Sequence, residues 1–176
     1  MHEDSPESMT HPATLPAEVL LEDCDIRRSR ASGPGGQHRN RVETAIEITH
    51  RASGIQGAAV ERRSQEANRR VAVDRLRMNL AIHIRTVNSE FVEPSDLWVS
   101  RCRNSKINCS EKHKDFPAMM AEALNAADAK SYDVKRAAAA LGCSTSQLVR
   151  FIAKVPEALE SLNAKRESLG LKKLKS

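Results

Sequence analysis

The chain has 176 residues, 40% hydrophobic but only 3% aromatic, with a net charge of +5. That length suits one ordinary domain or two small ones, with a core built mainly from Ala, Val, Leu and Ile. No apolar run approaches the roughly 20 residues of a membrane span, and the acidic start lacks the basic-then-apolar pattern of an export signal, so a soluble cytoplasmic protein, monomeric and away from membranes, is expected.

The charge is unevenly spread. Residues 1–26 hold seven acids and no Lys or Arg, whereas residues 27–86 hold thirteen Arg against five acids. Every base in that block is Arg, and the first Lys is Lys106. The guanidinium fork suits phosphate oxygens and stacks on bases, so the block points to a nucleic-acid partner, against the plainer alternative of a solvated face. The four cysteines, Cys24, Cys102, Cys109 and Cys143, have no Cys-x-x-Cys spacing and no histidine pattern beside them, so they read as reduced thiols, with no metal and no cofactor expected.

Residues 1–16, polar and acidic with Pro6 and Pro12, read as a disordered leader that passes into a helical turn over 17–21. A short strand is expected over 24–30. The next eight residues, 31–38, contain three Gly and a Pro and cannot form regular structure. Residues 44–50 alternate polar and apolar, the period of a half-buried strand. A turn ending at Gly54 leads to a second strand over 55–61, making a hairpin. Ser64 reads as the N-cap of a long helix over 65–84, with Val71, Leu76, Leu80 and Ile84 as its apolar stripe. Residues 87–112 lack a clear period and read as a linker or short extended structure. Helices follow over 115–129, 133–141 and 144–154. A fourth opens at Pro156, runs to about residue 169 and stops at Gly170, before a short basic tail.

The expected fold class is therefore α+β: a small mixed sheet with a Gly-rich loop and one long packing helix (17–86), a linker (87–112), and an all-helical unit (113–176). Within that last unit Ala138, Gly142, Leu148 and Phe151 stand at helix-turn-helix spacing, with Ser144, Thr145, Ser146, Gln147 and Arg150 on the outer face of the second helix. The spacing fits a nucleic-acid or ribosome-docking module, and equally a plain helical bundle.

The tripeptide Gly35-Gly36-Gln37 carries little weight alone, since ordinary Gly usage of about 7% yields it by chance in a few of every hundred chains this long. Its context carries more. Ser32-Gly33-Pro34-Gly35-Gly36-Gln37-His38 precedes Asn40 and the strand Ala45-Ile46-Glu47-Ile48-Thr49-His50, and Gly54, Arg63-Ser64-Gln65 and Asn68 follow in register. Over about residues 22–82 the chain resembles the catalytic domain of class I peptide chain release factors and of the smaller ribosome-rescue hydrolases related to them.

The resemblance implies hydrolysis of the peptidyl-tRNA ester on the ribosome, with Gly35, Gly36 and Gln37 as the catalytic loop and with large-subunit rRNA and peptidyl-tRNA as partners. Such an ester is activated, so the protein has to place a water, stabilise an oxyanion and exclude other nucleophiles. Two glycines permit close approach to RNA. By the same resemblance the Gln37 main-chain N–H donates to the oxyanion, its neutral side chain orients water, and it is the position open to N5-methylation. Candidate RNA contacts are Arg28, Arg30, Arg39, Arg41, Arg62, Arg63, Gln65, Arg69 and Arg70; Arg63 and Gln65 match the family pattern and the others rest on charge. Asn40, His50 and Asn68 are expected to hold the fold, and His38 is weighed against a proton role. Arg39, Glu66-Ala67 and Ala59-Val60 depart from the family pattern.

No region resembles a stop-codon-reading tip. The expectation is codon-independent rescue of stalled ribosomes, alone or with an accessory factor that reads codon or damage state. The alternative is a nucleic-acid-binding regulatory module with a helix-turn-helix and a non-catalytic Gly-Gly-Gln loop.

Overall fold

The computed structural model describes residues 10–29, 44–86 and 92–175. Among these, helix α1 (Ala17–Glu22), strands β1 (Cys24–Ser29), β2 (Ala45–His50) and β3 (Gln56–Ala59) and the long helix α2 (Gln65–His83) come first. They are followed by α3 (Asp96–Arg101), the short strands β4 (Cys102–Arg103) and β5 (Lys106–Ile107), and helices α4 (Phe116–Ala129), α5 (Val134–Ala140), α6 (Thr145–Ala153) and α7 (Pro156–Ser168). The chain divides into two compact units. One is Pro12–Leu80; the other is Ala81–Ser176 together with the N-terminal residues up to His11.

In the first unit the sheet order is β1-β2-β3. Both pairings are antiparallel, so the sheet is not the mixed one expected from sequence. For β2 and β3 the reason is connectivity: the five residues between His50 and Gln56 are too few for the crossover that parallel pairing needs. Ile46 and Ile48 of β2 point at α2, and Leu76 and Leu80 of α2 are fully buried. Gly57 lies opposite Ile48 in the register. A Cβ at Gly57 would sit 2.3 Å from the Ala72 carbonyl oxygen and 2.4 Å from the Leu76 nitrogen, so helix and strand meet backbone to backbone there. That contact sets the buried stripe of α2. It runs through Asn68, Ala72, Leu76 and Leu80, with Val71 and Ile84 only half-buried instead of in the stripe as expected.

The described part of the leader expected to be disordered over 1–16 is folded. Pro12–Thr14 makes a turn of 3-10 helix, and Ala13 is fully buried. Arg77 of α2 holds that turn by donating to the Ala13 carbonyl from Nε at 3.1 Å and Nη2 at 2.9 Å. Polar composition suggests disorder, but charge-assisted bonds to a main-chain oxygen fix the segment.

In the second unit the stretch expected to be linker contributes to the core. Trp98 of α3 is fully buried and donates from its indole N–H to the Leu141 carbonyl at 2.8 Å. Phe151 of α6 packs edge-on against both Trp98 and Phe116, with ring centroids 6.1 and 5.1 Å apart. Ser95 caps α3 by accepting from the Trp98 N–H, and Glu122 of α4 accepts from both the N–H and hydroxyl of Ser95, which ties α3 to α4. Asp133 and Ser144 cap α5 and α6. Gly142 takes a φ of +66° in the turn between those helices, a backbone angle that suits glycine. The helix-turn-helix spacing read from sequence therefore corresponds to two capped helices around a left-handed turn. The tail after α7 is tied down by main-chain contacts: Arg166 donates to the Lys172 carbonyl at 3.0 Å, and Asn163 pairs with the main chain of Leu174.

Candidate functional site

The sheet has two ends. At one, the turn after β2 is pinned by His50 Nδ1, 2.7 Å from the Ser53 hydroxyl, and by Arg51, which bonds Asp25 and the Cys24 carbonyl. At the other, β1 leaves the sheet at Ser29 and β2 enters it at Ala45, and these two residues are paired. Cross-strand neighbours lie about 5 Å apart, so Ser29 and Ala45 place the exit from and the return to the sheet side by side. Gly36 and Gln37 stand midway along the segment 30–43 in sequence. Gly35, Gly36 and Gln37, together with Arg30, Arg39, Arg41 and Asn40, lie outside the described residues.

The anchor at the returning end is a buried asparagine. Asn68, fully inaccessible on the second turn of α2, donates from its amide to the carbonyls of Thr44 (2.5 Å) and Arg62 (3.0 Å). Its side-chain oxygen accepts from the Arg62 N–H at 2.9 Å. One side chain thus joins the residue where the segment ends to the residues that lead into α2. A buried amide satisfied by three main-chain partners gives this corner one geometry. Sequence reading assigned Asn68 a fold-holding role but did not identify its partners.

β3 runs back toward the same end, so the start of α2 also lies there. The Ala67 N–H donates to the Ser64 hydroxyl at 3.3 Å, which caps the helix as its sequence suggested. Arg62 and Arg63 are exposed just before it, and Arg28 is exposed on the α2 side of the sheet, opposite Ile46. The side chains of Arg28, Arg62, Arg63 and Arg69 have no partner among the described residues. Arg70 bonds Glu66 one turn earlier at 3.2 Å, and Gln65 is half-buried. The fold thus brings Arg28, Arg62 and Arg63 to the end of the sheet from which the loop segment emerges, with Arg69 and Arg70 on the next turn of the helix.

Other members of the arginine block are committed to the fold. Arg75 grips both carboxylate oxygens of Glu61, at 2.7 and 3.3 Å, and donates to the Ala58 carbonyl at 2.6 Å. Main-chain N–H groups of Glu61 and Val60, and then Arg75, hold the Glu61 carboxyl below the usual carboxylate range. Composition could not separate these structural arginines from free ones, because both kinds raise the same local charge.

The strongly perturbed ionisable groups lie in the other unit or at its edge. Tyr132 is pushed up to about 12 by burial and by its bond to Asp128 at 2.6 Å. It lines a cavity of about 360 Å³ with His83, Arg85, Asp128 and Lys165. None of these was a predicted site residue. Burial raises all four thiols, Cys143 to about 11, and all four are free, so none is activated as a nucleophile. No cluster of metal-ligating side chains occurs among the described residues, and no helix among them is long and apolar enough to cross a membrane.

The chain is similar to peptide chain release factors. It is 40% identical over 76 residues to peptide chain release factor 1 of Caldicellulosiruptor saccharolyticus, which covers 43% of this chain and 21% of that protein. It is 46% identical over 65 residues to the chloroplastic peptide chain release factor PrfB1 of Arabidopsis thaliana, covering 37% and 14%. Against peptide chain release factor 2 of a Nitratiruptor species it is 36% identical over 103 residues, covering 55% and 28%. The alignments thus span between about a seventh and somewhat over a quarter of those relatives' lengths. Residues 14–116 match the RF-1 domain, and this stretch contains the three-stranded sheet, the Gly-Gly-Gln segment and α2. Since that match takes in more than half of the residues, the chain belongs to the RF-1 domain family, whose hallmark is the Gly-Gly-Gln domain of class I release factors.

Proposed function

We propose that this protein hydrolyses the ester bond of peptidyl-tRNA on the ribosome, with Gly35, Gly36 and Gln37 as the catalytic loop. The observation that carries the reading is the family match over residues 14–116, which includes the loop sequence and its scaffold. The scaffold supports it in detail. A sheet end pinned by Asn68 holds the described ends of the segment, and Arg28, Arg62 and Arg63, without partners among the described residues, stand at that end, with Arg69 on the next turn of α2. Those cations suit the phosphates of rRNA and tRNA.

In this reading the reaction needs little proton chemistry from the protein. Water attacks the activated carbonyl carbon, the bond from that carbon to the tRNA ribose oxygen breaks, and the proton the water gives up ends on the departing ribose oxygen. The main-chain N–H of Gln37 donates to the developing oxyanion, and the Gln37 side chain, neutral and barely basic, orients the water and excludes bulkier nucleophiles. The glycines let main chain approach the RNA closely. Arg30, Arg39 and Arg41, on the same segment, and Gln65, beside Arg63, complete the set of RNA contacts. Gln37 is also the residue that N5-methylation would modify.

The reading extends to release that does not depend on a stop codon, on ribosomes stalled during translation, with or without an accessory factor. Beyond the family match the chain continues through helices α4–α7 of the second unit. The test is release of labelled peptide from ribosomes carrying peptidyl-tRNA, with a stop codon, a sense codon or no mRNA in the A site. Release in all three cases, lost in Gln37→Ala, is expected. Release at stop codons alone would remove the rescue role. No release in any case, with RNA binding intact, would leave the regulatory nucleic-acid-binding alternative.

A further inference from the structure

We propose that hairpin β4–β5 and helix α6 of the second unit form a docking surface for the phosphate backbone of double-helical RNA. The surface is built by three contacts. The Ser144 N–H, at the cap of α6, donates to the Ser105 carbonyl at the hairpin tip, 3.2 Å away. The Ile107 N–H of β5 donates to the Gln147 side chain at 3.3 Å. Two residues beyond β5, the Cys109 carbonyl accepts from Lys154 at 2.7 Å. The chain from the hairpin tip to Cys109 therefore runs along one side of α6, from its first turn to its end. Residues 147, 150 and 154 fall on one stripe of a helix, so Arg150 borders the hairpin.

The two faces of the hairpin differ. Cys102 and Ile107 are paired in register, half-buried, and directed at the helix pair, with the Cys102 thiol reaching the Gly142 carbonyl. Arg103 and Lys106 are the other register pair, so they share the opposite face, and both are exposed. Arg103, Lys106 and Arg150 have no hydrogen-bond or ion-pair partner among the described residues. Residues 97–110 and 134–156, which carry the hairpin, α5 and α6, hold seven Lys or Arg and no Asp or Glu. The acids that flank these spans include Asp115, which is engaged by Arg101, and Asp133, which caps α5. Exposed cations without a partner among the described residues complement a polyanion.

The side chains of α6 favour a reader of backbone over a reader of base sequence. At the start of the helix, where a DNA-recognition helix presents long base-reading groups, the Ser144 hydroxyl caps its own helix and Gln147 is tied to Ile107. Thr145 and Ser146 are short. What extends outward is the set of cations at the rim, which suits phosphate and ribose contacts across the shallow groove of an RNA helix. The choice of RNA over DNA rests on the release-factor reading above.

The test uses the full chain and the triple variant Arg103→Glu/Lys106→Glu/Arg150→Glu, titrated against a fluorescently labelled short RNA duplex over a range of salt. All three side chains are exposed, so Trp98 fluorescence and far-UV circular dichroism should match wild type and report an intact fold. The expected result is affinity at least about tenfold weaker, with a log–log salt slope shallower by about three, one phosphate contact per lost cation. Unchanged affinity and slope would overturn the proposal, as would a DNA duplex of the same sequence competing as well as RNA. Peptide release by the same preparations separates the two readings. If wild type binds the duplex through this surface but releases no peptide, the surface stands and the hydrolase reading falls. If release is Gln37-dependent but the triple variant binds RNA normally, only this proposal falls.

Discussion

Replacing Asn68 by Ala should loosen the corner that launches the loop segment without removing any group from the loop itself. The substitution leaves the Arg62 N–H, the Arg62 carbonyl and the Thr44 carbonyl without their partner in a site from which solvent is excluded. An orphaned buried polar group costs about 1–3 kcal/mol, and a water entering the vacated volume recovers part of that, so the expected loss is about 3 kcal/mol. The first unit contains no Trp, Tyr or Phe, so the only tryptophan, Trp98, does not report on it. Hydrogen exchange of the β2 and α2 amides does. Their exchange should accelerate on the order of a hundredfold, since each 1.4 kcal/mol is a factor of ten, while the Trp98 unfolding transition serves as the reference for the other unit. Peptide release should slow in parallel, because the loop would be held in a wider range of positions. A change of less than about threefold in β2 exchange would refute the idea that Asn68 holds this corner.

Two further perturbations test other parts of the fold. Gly57→Ala places a methyl group within 2.4 Å of α2 backbone atoms and forces strand and helix apart, so a loss of more than about 2 kcal/mol is expected, read from the same amide exchange. His11 is buried, donates from Nε2 to the Ile84 carbonyl at 3.2 Å, and is lowered by burial to about 4 from 6.5. The unfolded chain therefore binds a proton before the folded one does. Stability is full above pH 6.5 and falls as pH drops toward 4, with about 2 kcal/mol lost by pH 5. In His11→Gln, which cannot titrate, denaturant midpoints measured at pH 7 and pH 5 should differ by correspondingly less; an unchanged pH dependence would rule His11 out as the titrating group.

The strands around the loop, the long helix and the four helices after residue 112 were readable from sequence because each carries its own periodicity and its own punctuation. Residues 44–50 alternate, Ser64, Asp133 and Ser144 cap, and Gly54, Gly142 and Gly170 stop. Stretches too short for a period were not readable. Helix α3 has six residues and each strand of the β4–β5 hairpin has two, so the region read as a linker carried no repeating signal, although Trp98 within it is a centre of the second unit's core. Residues 10–14 were misread for a related reason. Their order comes from Arg77, more than sixty positions away, and no local composition records that bond.

The candidate site divides in the same way. Gly-Gly-Gln with its flanking register was legible because a short motif specifies its chemistry through residue type and spacing, and the family match covers it. Which arginines are free to meet RNA was not legible. Charge is a sum along the chain, whereas engagement depends on what lies within about 3 Å in space. Arg75 is held by Glu61, Arg51 by Asp25 and Arg77 by Ala13, while Arg28, Arg62 and Arg63 converge on the end of the sheet where the loop begins. By itself the sequence determined the family and the position of its Gly-Gly-Gln motif, because both are written in consecutive residues. Only the tertiary structure decided which cations surround the loop's anchor and which side chain, Asn68, secures it, because those depend on contacts between residues that chain order keeps apart.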